Sequence, residues 1–167
     1  PDALSENFTR RVGEWAAKSS VQVVSGAARG VDENAMLTGA AHNGAAVGVV
    51  AESLLRLSTR REFRTQIIEN RVTLISSFDP EAPFTVGNAM ARNRWVYALA
   101  DRGLVVASSE GRGGTWAGAV EALKHGVAVF VKTGNPQRPD SPARRLRQRR
   151  ELPRRRRQDR HPRQHHL

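Results

Sequence analysis

Val24-Ser25-Gly26-Ala27-Ala28-Arg29-Gly30-Val31-Asp32 is the stretch on which the fold turns. A short β-branched run, Val21 to Val24, leads into it, as in a strand buried on both faces. Asp32 to His42 leads out of it and reads as a helix, stopped by Asn43-Gly44. Strand, glycine-bearing turn and helix in direct succession make a setting in which free backbone N–H groups and the helix dipole hold a phosphate. Gly26 permits the tight turn, Gly30 lets a ligand approach the backbone, and Arg29 adds a charge-assisted contact. Ser25 opens the loop. A bare strand-to-helix turn uses the same residue types, so this stretch speaks first for architecture and only then for a ligand.

The alternation extends in both directions. Upstream, Phe8, Val12, Trp15 and Ala16 form a helical stripe over Ser5 to Lys18, with Ser5 as a plausible N-cap. Downstream, Ala46 to Val50 reads as a strand, Thr59 to Asn70 as a charged amphipathic helix and Val72 to Ile75 as a third strand. Val86 to Ala100 is a helix stopped near Gly103, and Leu104 to Ala107 a fourth strand. Thr115 to His125 is a helix ending at Gly126, followed by a fifth strand, Val127 to Val131. Short apolar strands alternating with helices of this length imply right-handed crossovers and a parallel sheet. The expected fold is therefore α/β and Rossmann-like: a doubly wound, mostly parallel sheet of about five strands with helices on both faces. Ligands bind beyond the carboxyl ends of such strands, where three polar loops fall: Ser25 to Gly30, Ser76 to Asn88 and Ser108 to Gly114.

Two of those loops repeat the chemistry of the first. Glu110-Gly111-Arg112-Gly113-Gly114-Thr115 again joins a strand to a helix, and Gly113, Gly114 and Thr115 suit close approach of a phosphate. Gly87-Asn88-Ala89-Met90-Ala91-Arg92-Asn93-Arg94 brings two arginines. On a helix Arg92 and Arg94 diverge by about 200°, so only one can face a shared cleft. Asn88 is placed to cap that helix and Asn93 to fix a loop backbone.

Composition sets the outer bounds. The chain has 167 residues, enough for one ordinary domain, with no cysteine and a net charge of +11. That charge is uneven: residues 135–167 hold twelve Arg and three acids, a net of +9, which leaves only +2 on residues 1–134. The chain accordingly divides into a domain, 1–134, and a basic, Pro-rich tail, 135–167, whose composition predicts disorder. The tail reads either as an arm for nucleic-acid phosphates or as a non-native extension. No run is long and apolar enough for a membrane span, so a cytoplasmic protein is the default expectation. Pro1 in place of Met suggests a fragment or a processed start.

The motifs together resemble the DNA-processing protein A (DprA/Smf) family. Val24 to Asp32 is similar to that family's strand followed by Ser-Gly-x-Ala-Arg-Gly-Ile/Val-Asp, Arg92-Asn93-Arg94 to its Arg-Asn-Arg motif, and Val105 through Ala119 to its later strand and glycine turn. The resemblance covers roughly residues 20–134. It implies binding of single-stranded DNA, assistance to a RecA-type recombinase, often in natural transformation, and a homodimer. It carries DNA contact over to Arg29, Arg92 and Arg94, and it calls for no cofactor and no metal. The family's opening strand, with a Gly-Ser-Arg turn, would lie upstream of Pro1 and near the sheet centre; without it the sheet should carry a defect unless another segment fills it. Ala35-Met36 stand where the family usually has Ala-His, and Ala51 to Arg61 lack its Tyr-Pro loop.

A second resemblance, through Met90-x-Arg92 and Gly113-Gly114-Thr115, is to the "lonely guy" nucleotide phosphoribohydrolases. Those enzymes need a carboxylate just after the Gly-Thr turn, where this chain has Ala117 and Gly118. Under that alternative Arg92 and Glu121 would be catalytic; otherwise no catalytic residue is expected, and the domain binds single-stranded DNA or a nucleotide, or senses a nucleotide signal. Trp15 and Trp95 are expected in the core, Trp116 in the core or against a base. His42 and His125 close helices, where an imidazole suits the negative dipole end. Asp101 and Glu110 are weighed as an acid/base pair against a plain surface pair.

Overall fold

The computed structural model describes residues 3–109 and 111–132. Glu110 and the tail, 135–167, lie outside them. Eleven elements follow in order: α1 (Ala3–Lys18), β1 (Val23–Ser25), α2 (Val31–Ala41), β2 (Ala46–Val49), α3 (Leu54–Thr59), α4 (Arg61–Ile68), β3 (Val72–Ile75), α5 (Val86–Ala98), β4 (Arg102–Val105), α6 (Gly113–Lys124) and β5 (Ala128–Val131). The α/β alternation and the five strands are as expected, with β1 ending one residue later than Val21 to Val24 and β4 lying two residues earlier than Leu104 to Ala107, so that Gly103 lies within the strand. Every described pairing is parallel: Val24 sits beside Val47, Gly48 beside Leu74, and Leu104 beside Phe130.

The sheet, however, is in two pieces, β1-β2-β3 and β4-β5. No ladder joins β1 to β4. Between them lies a cavity of about 170 Å³, with Val24 and Ser25 on one side and Arg102 to Ala107 on the other. The sheet is thus interrupted by a gap between β1 and β4. Chain direction also diverges here, β1 to β3 building outward one way and β4 to β5 the other, so the gap is the topological switch point.

The core belongs mainly to the first piece. Met36 and Ala40 of α2, Ala46 and Val50 around β2, Leu57 of α3, Phe63 of α4 and Val72 of β3 form one buried cluster. The helix expected over Thr59 to Asn70 is α4, Arg61–Ile68, and a further helix that was not foreseen, α3, precedes it at Leu54–Thr59. Ser53 caps α3 by accepting from the Arg56 N–H, while Ser58 and Thr59 turn their hydroxyls back onto the Leu55 and Arg56 carbonyls. Arg60 is extended between the two helices and makes paired hydrogen bonds of 2.7 and 3.2 Å to Glu33, tying α4 to α2. A bidentate guanidinium–carboxylate fork of this kind is geometrically specific.

Helix α1 corrects the expected stripe. Its buried residues are Ser5, Thr9, Gly13 and Ala16, not Phe8, Val12 and Trp15. A Cβ on Gly13 would come within 2.7 Å of the Ala35 carbonyl of α2, so the small face is what lets the two backbones approach. Trp15 is left 59% exposed. Ser5 is inside the helix rather than its cap; its hydroxyl accepts from Lys132 Nζ at 3.0 Å and ties α1 to the end of β5. No helix among the described residues is long and apolar enough to cross a membrane.

Candidate functional site

Gly30, in the left-handed region at φ 100°, turns the chain from the loop into α2. Ala27 also has positive φ, 54°, a conformation that costs a Cβ-bearing residue about 1 to 2 kcal/mol. It is held by burial in the core cluster, 3% exposed. Stored strain of this kind gathers at functional sites. Ser25 and Gly26 are buried, whereas Ala28 and Arg29 are exposed.

Arg92 departs most from expectation. Its side chain leaves α5 and runs inward until the residue is only 6% exposed. Nη1 donates to the Val49 carbonyl at 2.9 Å, at the end of β2. The guanidinium lies against Gly26: a Cβ there would sit 1.5 Å from Nη1. Nε is buried without a hydrogen-bond partner. Burial pulls this guanidinium below the usual arginine value, with Asp32 acting in the opposite sense. A buried cation without a carboxylate partner is costly, and the site retains one. Arg94, two residues on, is exposed, as the helical geometry requires.

The expected site residues separate into groups. Ser25, Gly26, Asn93 and Thr115 line the gap between β1 and β4, together with Asp32, Val96 and Tyr97. Asn93, Arg94, Gly114 and Glu121 line a second cavity of about 410 Å³ between α5 and α6, with Met90, Trp95 and His125. Asn93 is common to both. Loops one and three therefore meet, but Gly87 and Asn88 reach neither cavity. Thr85, not Asn88, caps α5, accepting from the Asn88 N–H at 3.0 Å. Gly113 has φ 81° at the start of α6, open to solvent. Glu121 lines the cavity between α5 and α6, whereas Arg92 lines neither of these two cavities and turns toward Gly26 and Val49.

Several residues went unforeseen. Asp32 lines the gap beside Tyr97, whose phenol is pushed up by burial and then by the field of Asp32. Arg112, extended before α6, is exposed at the third loop. Trp95 is 49% exposed, correcting its placement in the core, and Trp116 is half-buried. His42 ends α2 as expected, its Nδ1 2.9 Å from the Thr38 carbonyl.

The geometry now has known counterparts. The family model described as DNA recombination-mediator protein A matches residues 1–149. The chain belongs to that family. The match extends beyond residues 20–134 at both ends. Protein Smf of Escherichia coli (strain K12) is 30% identical over 138 residues, covering 81% of this chain and 37% of its own length. DNA processing protein A of Helicobacter pylori, studied for its single-stranded DNA binding mode, superposes with a TM-score of 0.71 at 23% identity, over 89% of this chain and 67% of that one. DNA processing protein A of Streptococcus pneumoniae gives 0.69 at 21% identity, over 83% and 48%. The fold is thus that of the family, and the chain spans little more than a third of the curated relative.

Proposed function

We propose that this chain binds single-stranded DNA at the carboxyl ends of its strands and serves DNA processing in recombination or transformation. The observation that carries the reading is the meeting on one cavity of Ser25 and Gly26 at the end of β1, Val31 and Asp32 at the start of α2, Thr115 in the first turn of α6 and Asn93 of α5. Helix starts offer free N–H groups and a positive dipole end. The cavity itself is small beside ordinary ligand pockets of roughly 300 Å³ and more, and Asp32 within it repels phosphate. The DNA backbone therefore runs over the rim, across Gly30, Gly113 and Gly114, with Arg29 and Arg112 as the exposed cations. The Helicobacter pylori relative's binding of single-stranded DNA supports the same ligand here.

A RecA-type recombinase as partner and a homodimer as the working form belong to this proposal. Sedimentation and co-purification with the recombinase test them. The ligand itself is tested by fluorescence anisotropy with a labelled single strand over a salt series. Truncation after Gly134 should leave binding in place and Arg29→Ala should weaken it. Binding that disappears with residues 135–167 alone would make the affinity a generic arginine–phosphate attraction and end the reading.

A further inference from the structure

We propose that Arg92 is a positioning residue that holds the Ser25–Gly30 loop from beneath and does not itself touch the bound strand; the inference rests on the DNA-binding reading above. At 6% exposure its guanidinium has almost no surface to offer a ligand. It is seated instead in a notch that exists because residue 26 lacks a Cβ: an alanine carbon would fall 1.5 Å from Nη1 and 2.2 Å from Cζ. The same group donates to the Val49 carbonyl, so one side chain from α5 touches the ends of both β1 and β2.

Charge supports the arrangement. None of the ion pairs among the described residues includes Arg92, and Nε has no hydrogen-bond partner. Among the described residues the carboxylate that acts on this cation is Asp32. A buried charge one backbone layer below the turn is poorly screened, so it favours an anion above the loop without contacting it. Arg29 stands on the loop, exposed, in the position of a contact. The two arginines thus divide the work: one touches phosphate, the other sets the surface that phosphate meets.

Salt dependence separates the two roles. Replacing a direct contact to a single strand removes about 0.7 from the slope of log affinity against log salt. Arg29→Ala should show that loss. Arg92→Met should instead weaken binding about two- to thirty-fold, the range for residues acting through a packed network, with the slope unchanged. Arg92→Lys should recover part of the affinity, because charge returns without the planar fork. Gly26→Ala, which pushes the guanidinium off its seat, should copy Arg92→Met and serves if that variant does not fold. Amide hydrogen exchange over residues 25–30, measured without DNA, should speed up in Arg92→Met or Gly26→Ala. A slope reduced by about 0.7 in Arg92→Met would make it a direct contact and overturn the proposal. Unchanged affinity in the folded variant would leave Arg92 merely structural. Should the wild type bind no DNA, the functional reading falls, and the exchange measurement still decides whether Arg92 positions the loop.

Discussion

The two pieces of the sheet are built from similar strands and end up very differently supported. Around β1, β2 and β3, the helices α2, α3 and α4 close a continuous cluster with Met36 and Phe63 fully buried. Around β4 and β5, the buried set is Gly103, Val105, Gly118, Ala119 and Ala122, almost all of it small. On the other face of that pair, Leu104 and Phe130 sit side by side and exposed, at 43% and 56%. A two-stranded sheet has little stability of its own. The second piece therefore depends on the first, with no strand ladder to join them. The join is made by α5, through Arg92 toward β1 and β2 and through Tyr97 against β4, and by Lys132 at the end of β5, which reaches Ser5 of α1. A protein of this kind can keep a rigid half and a more weakly supported half on either side of one site.

The largest expected effect falls in the first piece. Phe63→Ala empties the centre of the main cluster and should cost about 3 to 5 kcal/mol by chemical denaturation. A loss below that range would mean the cluster is not the seat of stability, and the contrast between halves would go with it. Next comes the join. A Cβ on Gly103 would lie 2.8 Å from Tyr97 Cε1, so Gly103→Ala should cost about 1 to 3 kcal/mol by overpacking. Tyr97→Leu in the same chain should return much of that loss; without any recovery, Tyr97 is not the obstacle.

The smallest effect is optical. Tyr97 is the single tyrosine of the chain, and its phenol is raised above 10.0 by burial first and Asp32 second. The near-ultraviolet phenolate signal of the folded protein should therefore appear at higher pH than that of the unfolded protein. Between the two titrations the unfolded state has lost its proton and the folded state has not, so stability falls as pH rises from about 10 through the folded value. Coincident titrations of folded and unfolded chains would show that the join is open to water.

The strand-and-helix alternation was legible because β-branched runs and glycine stops are local signals. What escaped was set by packing between elements. The buried face of α1 is made of Ser, Thr, Gly and Ala, and no hydrophobic periodicity points to it; Phe8 and Val12 are half-buried, and Leu4 and Trp15 are exposed. The break at Arg60 reflects a hydrogen-bonded fork to Glu33, twenty-seven residues away. The site was legible in its loops and not in its depth. Gly26 looked like a glycine for a tight turn, yet the space it leaves is filled by Arg92, and nothing in either residue's neighbours signals the other.

The divided sheet also bears on how this molecule behaves in a crowd. Exposed strand edges are templates for pairing with other chains. Here the inward edges of β1 and β4 face each other across a narrow gap walled by α5 and α2. The outward edges are β3 and β5. On β5 the half-exposed Phe130 adds an apolar side chain to that edge, with little charge nearby in Val127 to Val131 to discourage stacking. The apolar part of that edge is confined to the four residues of one short strand, Ala128–Val131.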